Sequence, residues 1–183
     1  MCGIVGYIGN KNATPVLVNA LKKLEYRGYD SAGIAVFNGQ DILVRKVKGA
    51  LKALEEKIAK ETIEGSLGIG HTRWATHGEP SDINAHPHLN ESGTIAVVHN
   101  GIIENFAKLK AWLQSEGVVF KSDTDTEVIA HLINYYYEDS LDIFEAVKAA
   151  VNRLEGSYAL GVLCKDFPDR IIAARKECPL IVG

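Results

Sequence analysis

Apolar positions change their period several times along this chain, and each change marks an element. The run Gly3-Ile4-Val5-Gly6-Tyr7-Ile8 is apolar apart from its glycines and predicts a strand over 2–8. Ala13, Leu17, Leu21 and Leu24 then fall at helical spacing, with Thr14 placed to cap the helix, Pro15 at its first position and Gly28 to end it. Strands are predicted at 32–37 and 42–47, joined by an Asn38-Gly39 hairpin turn because both residues tolerate positive φ. Leu51, Leu54 and Ile58 mark a second helix. Short apolar strands at 67–72 and 94–99 flank a polar loop. Phe106, Leu109 and Leu113 mark a third helix closed by Gly117, and Thr124 with Glu127 forms a capping box for a fourth that carries Val128, Leu132 and Tyr136. Ser140 starts a fifth, with Phe144, Val147, Val151 and Leu154 on one face. Strands near 157–164 and 170–175 follow.

Hairpin-like strand pairs thus alternate with helix pairs. That order argues for an α+β protein with largely antiparallel sheets and helices packed outside them. The segment SYALGVLC at 157–164 is apolar at nearly every position, so both of its faces should be covered and more than two layers are expected.

Composition narrows the function classes. The 183 residues are 46% apolar and 23% charged, which suits one globular domain with a sizeable core. A net charge of −3 gives no bulk attraction to nucleic acid or to anionic membranes. No apolar run reaches the length of a membrane span, and the N-terminus has no basic, signal-like region. Cys2, Cys164 and Cys178 are odd in number and form no C-x-x-C pair, which fits a reducing, cytoplasmic setting. Phosphate-binding G-x-x-x-x-G-K-[ST] and G-x-G-x-x-G patterns are absent. His86-Pro87-His88, His71, His77 and His99 invite a metal reading, but no zinc-type spacing accompanies them.

Cys2 is the first candidate for chemistry. Removal of Met1 would leave it with a free α-amine, whose ordinary pKa of about 7.7–8.0 makes it a usable proton acceptor near neutrality. One residue would then hold both nucleophile and base. Position alone favours the competing reading, a small, buried, inert thiol.

Three polar islands stand at predicted strand ends: YRGYDSAG at 26–33, HTRWATHGEPSDINAHPH at 71–88 and HNGIIEN at 99–105. With the opening CGIVG they resemble the class II glutamine amidotransferases, and most closely the glutaminase half of the glutamine–fructose-6-phosphate aminotransferase (isomerizing) family, also called glucosamine-6-phosphate synthases. The resemblance covers nearly the whole chain. It implies an N-terminal-nucleophile hydrolase fold, a four-layer αββα sandwich of two mostly antiparallel sheets between helices. It also implies that Cys2 attacks the side-chain amide of L-glutamine, releasing ammonia and leaving a γ-glutamyl thioester that is hydrolysed to glutamate.

Carried onto this sequence, the resemblance makes the Asn100 amide and the Gly101 N–H the oxyanion hole, a role that a tight Asn-Gly turn after a strand could also serve. Arg73 becomes the clamp for the substrate carboxylate, with Trp74, Thr76 and His77 as pocket residues. Asp125 becomes the partner of the substrate ammonium, although a carboxylate in a first helical turn is favoured in any case. Arg27 and Asp30 are expected to shape the site from behind. No cofactor and no metal are implied. Residues 1–183 are expected to be the glutaminase domain alone, truncated from a longer homodimeric enzyme whose sugar-isomerase domains take fructose 6-phosphate to glucosamine 6-phosphate. A phosphoribosyl amidotransferase glutaminase, or a non-catalytic regulatory module of the same fold, are the competing expectations, and TRWATHGEP with HNGIIEN argues against the first of these.

Overall fold

The computed structural model describes residues 2–183, apart from the side chain of Arg27. The first sheet contains β1 (Gly3–Ile8), β2 (Ser31–Phe37), β3 (Ile42–Lys48) and β4 (Leu67–Arg73), in the spatial order β1-β4-β2-β3. The second contains β5 (His88–Leu89), β6 (Ile95–Ile103), β7 (Gly156–Cys164) and β8 (Ile172–Lys176), in sequence order. Every pairing between these strands is antiparallel.

Alternation along the strands builds the layers. In β2, Ala32, Ile34 and Val36 face α1 (Ala13–Leu24) and α2 (Leu51–Lys60), forming a core with Leu17, Leu21, Leu51 and Leu54. The intervening Ala35 turns to the other side, where it meets Leu67, Ile69, Ala96, Val98 and Leu163 between the two sheets. From the second sheet, Ile95, Val97, Leu160 and Val162 face α3 (Phe106–Ser115), α4 (Asp125–Ser140) and α5 (Ile143–Val151). The order of layers is therefore α1/α2, first sheet, second sheet, α3/α4/α5: the αββα sandwich that the resemblance implied. The apolar run of β7 is explained in the same way, with Leu160 and Val162 on the helix side and Leu163 between the sheets.

Several local expectations are corrected. Asn12, not Thr14, caps α1: its Oδ1 accepts from Thr14 N, and the Thr14 hydroxyl instead donates to Ile63 O at 2.7 Å. The hairpin after β2 is a four-residue loop in which Asn38 Oδ1 accepts from Gln40 N and Asp41 N, and of the Asn38-Gly39 pair only Gly39 has positive φ. The capping box of α4 is only half made. Thr124 Oγ1 accepts from Glu127 N, but the Glu127 carboxylate turns to Lys121 N, Ser122 N and Ser122 Oγ. Ser140 ends α4, and Asp142 caps α5 through Phe144 N and Glu145 N, which leaves Phe144 exposed and Ile143 buried. Asn100-Gly101 is no turn: β6 runs through it to Ile103, with Asn100 opposite Ala159 and Gly101 opposite Tyr158.

Candidate active site

Register brings the three islands together. Gly3 lies opposite Thr72 and Ser31 opposite Arg73, so the start of β1, the start of β2 and the end of β4 share one end of the first sheet. Cys2 precedes β1 at that end and is partly exposed. The Trp74 N–H donates to Cys2 Sγ at 3.1 Å, and the thiol reaches Trp74 O at 3.5 Å. From the second sheet, Asn100 Nδ2 donates to Cys2 O at 3.3 Å. Burial pushes the Cys2 thiol above its ordinary pKa, while the Trp74 N–H and the Arg73 charge pull it back. A thiol so placed needs a base to become a thiolate.

Asp30 sets the loop that presents the Trp74 N–H. Its backbone N–H donates to Arg73 O at 2.8 Å, and its Oδ2 accepts from Ala75 N at 2.5 Å. The Arg27 side chain, expected to act beside it, lies outside the described residues.

Arg73 is only 3% exposed. Its Nη2 donates to Gly78 O at 2.9 Å and to His77 O, whereas Nη1 is buried with no partner among the described residues. Burial lowers its pKa, opposed by the charges of Asp30, Cys2 and Asp125. A guanidinium with one terminal nitrogen engaged and the other unpaired can receive a carboxylate.

Asp125 opens α4, 4% exposed, and its Oδ2 accepts from Ile103 N at 3.0 Å. Two imidazoles flank it: His77 Nδ1 at 4.0 Å and His99 Nδ1 at 3.9 Å. His77 also packs edge-on against Phe106. Trp74 is 56% exposed. Thr76 is exposed as well, and the structure brings it to none of these groups.

Gly101 has φ +121°, and a Cβ there would lie 2.0 Å from Ser157 O, so only glycine fits beside Asn100. Gly33 plays a matching part in the first sheet. A Cβ at Gly33 would lie 2.2 Å from His86 O, so its absence lets the 84–88 segment lie directly on β2. That segment carries two of the buried histidines. His86 Nδ1 accepts from His99 N at 3.4 Å, which leaves its Nε2–H to donate to Thr126 Oγ1 at 3.1 Å. His88 Nε2 meets Thr124 Oγ1 at 3.0 Å. These bonds fix the start of α4, and with it Asp125. Among the described residues no cluster of histidine, cysteine or carboxylate side chains is arranged to hold a metal ion. A cavity of about 710 Å³ opens elsewhere, lined by Val44, Lys46, Asp82, Glu127 and His131 among others, and includes none of the groups around Cys2.

One residue of this site was weighed from the sequence only in the metal reading that its spacing did not support. His71, fully buried, touches Asn100 directly. Its signal lay in the alternation of β4: Leu67 and Ile69 face the inter-sheet core, and His71 continues that row with a polar ring.

Comparison with known proteins bears on the family and the fold. The profile described as glutamine amidotransferase domain matches residues 71–181. Over all 183 residues the chain is 64% identical to the glutamine–fructose-6-phosphate aminotransferase (isomerizing) of Caldanaerobacter subterraneus and 63% identical to that of Clostridium tetani. It spans 30% of the length of each of these relatives. A solved structure of glutamine phosphoribosylpyrophosphate amidotransferase from B. subtilis superposes with a TM-score of 0.81 at 27% identity, over 96% of this chain and 37% of that one. Profile, relatives and superposition converge with the layered fold and the three islands, and the chain belongs to the glutamine amidotransferase domain family.

Proposed function

We propose that residues 1–183 form a glutaminase domain that hydrolyses the side-chain amide of L-glutamine at Cys2, once Met1 has been removed. The α-amine of Cys2 takes the thiol proton and the sulfur attacks the amide carbon. The resulting oxyanion is met by the Asn100 side-chain N–H and the Gly101 backbone N–H. Collapse breaks the C–N bond, and the nitrogen leaves as ammonia with the proton returned by the amine. Water then attacks the γ-glutamyl thioester, releasing glutamate and restoring the thiol. Arg73 Nη1 binds the substrate carboxylate and Asp125 its ammonium, while Trp74, Thr76 and His77 wall the pocket. Asp30 holds the loop behind them. No cofactor takes part.

The observation that carries this reading is the convergence on Cys2. The Trp74 N–H holds its sulfur at 3.1 Å, and the Asn100 amide approaches the same residue from the other sheet. The whole-chain identity to glutamine–fructose-6-phosphate aminotransferases favours delivery of the ammonia to fructose 6-phosphate, yielding glucosamine 6-phosphate in a longer, homodimeric enzyme with sugar-isomerase domains. The phosphoribosylpyrophosphate amidotransferase likeness is much more distant in sequence, at 27% identity. Three cysteines outside any disulfide, and no described helix long and apolar enough to cross a membrane, suit action in the cytoplasm.

An electrophilic glutamine analogue with peptide mapping by mass spectrometry tests the proposal. The expected adduct is on Cys2, in a peptide lacking Met1, and Cys2→Ala abolishes glutaminase activity. A label on Cys164 or Cys178 with Cys2 untouched, or full activity in Cys2→Ala, overturns it.

A further inference from the structure

Asn100 must present its NH2, not its carbonyl, if it is to meet a developing oxyanion. A free asparagine amide has no reason to prefer that orientation, since its two ends are nearly the same size. What decides it here is His71. The Nε2 of His71 lies 2.9 Å from His99 O and 2.8 Å from Asn100 Oδ1. The backbone carbonyl can only accept, so Nε2 must carry the proton. A protonated Nε2 can only donate, so the Asn100 atom facing it must be the oxygen. The amide nitrogen is thereby left on the other side, where it donates to Cys2 O. Flipped, the amide would set NH2 against an N–H and oxygen against a carbonyl, losing both bonds at once.

Everything around the ring keeps this tautomer in place. His71 is fully buried and stacks on His86, with centroids 4.0 Å apart and planes 20° from parallel. Its Nδ1 has no partner among the described residues, so nothing competes for the proton on that side. Burial holds the ring neutral, with a pKa of about 3, against the upward pull of its bonds to Asn100 and the His99 carbonyl. We propose that His71 is the positioning residue of the oxyanion hole: a fixed Nε2–H, set by the carbonyl of His99, that locks the Asn100 amide with its NH2 toward the reacting centre.

The inference rests on the glutaminase reading, and the test separates the two. Asn100→Ala in the full chain should lower kcat for glutamine hydrolysis by about 10²–10³-fold, the usual cost of an oxyanion donor. His71→Leu, which keeps bulk but removes the donor, should lower kcat by about tenfold or more while leaving the glutamine KM within about twofold, because the lost interaction belongs to the transition state. Alkylation of Cys2 by iodoacetamide, which forms no oxyanion, should proceed at the parent rate. His71→Gln sets an amide N–H near the Nε2 position and should recover most of kcat; His71→Asn, a shorter polar side chain, should not. In an Asn100→Ala background His71→Leu should cost nothing further. An equal loss in both backgrounds, or equal activities of the Gln and Asn variants, overturns the positioning role. Unchanged kcat in Asn100→Ala overturns the oxyanion-hole reading itself, and this inference with it.

Discussion

Arg73 and Lys46 are both cations drawn out of water, and the molecule uses them in opposite ways. The Lys46 ammonium donates to three backbone carbonyls, Ile83 O and Ala85 O at 2.9 Å and Pro87 O at 3.4 Å, so its three N–H bonds are all engaged. Burial brings it down to about 8, which leaves it protonated at neutral pH. Glu127, which also lines the neighbouring cavity, is equally committed, its carboxylate accepting two backbone N–H bonds and a hydroxyl. Arg73 spends one terminal nitrogen, Nη2, on the loop carbonyls of His77 and Gly78 and keeps the other, Nη1, buried with no partner among the described residues. A saturated buried charge is a structural clamp, whereas an unsaturated one implies a ligand that completes it. The contrast also explains why the cavity beside Lys46 and Glu127 is the poorer candidate for chemistry.

The largest expected effect tests the structural half. Four histidines, His71, His86, His88 and His99, are held below their ordinary pKa of 6.5 by burial. The unfolded chain takes up these protons near pH 6.5 and the folded chain does not. Their contribution is therefore complete above that pH and falls as pH drops, by up to about 1.4 kcal/mol per pH unit for each. Urea unfolding at pH 7.5, 6.0 and 5.0 should show stability dropping steeply below 6.5; a flat profile would mean the rings reach solvent. Next, Arg73→Lys keeps the charge but loses the planar fork, and the glutamine KM should rise about ten- to a hundredfold. Steady-state kinetics checks this, and an unchanged KM would place Arg73 with Lys46 among the clamps. The smallest effect on catalysis is that of Lys46→Met, whose cost is in stability, about 1.5–3 kcal/mol or roughly 3–12 °C in Tm. Its kcat/KM should stay within about twofold, because the Lys46 ammonium is bonded to the Ile83, Ala85 and Pro87 carbonyls and to no group around Cys2. A drop in kcat/KM larger than the drop in stability would erase the distinction.

Layering was legible because burial on two faces writes an unbroken apolar run, as in β7. Caps were less so. Thr14 and Asn12 are both good capping residues, and the choice between them was settled by Ile63 O, 49 residues away, which claims the Thr14 hydroxyl. Glu127 matched a capping-box pattern, but Lys121 and Ser122 presented better-placed N–H groups. Asn100-Gly101 has the composition of a turn, and tertiary pairing with β7 overrode that local preference. In the site, Arg73 and Asn100 were singled out in their islands, Cys2 at the start of the chain and Asp125 only through the resemblance, and nothing local joined them. Antiparallel register joined them, together with the contact between sheets, and the tautomer logic of His71 depends on a carbonyl in a different strand.

Strand β4 is paired on both sides, with β1 and with β2, and its last residues supply His71 and Arg73, with Trp74 just beyond. A single residue inserted or deleted within 67–73 would exchange their faces, turning Thr72 toward Asn100 and both working side chains toward the helices. The loop 38–41, held by its own asparagine, has no such duty. Length variation in this domain should therefore gather in the hairpin and be nearly forbidden in β4, so that an engineer wishing to graft a tag or a sensor has one permissive strand connection and one strand in which the residue count is itself part of the active site.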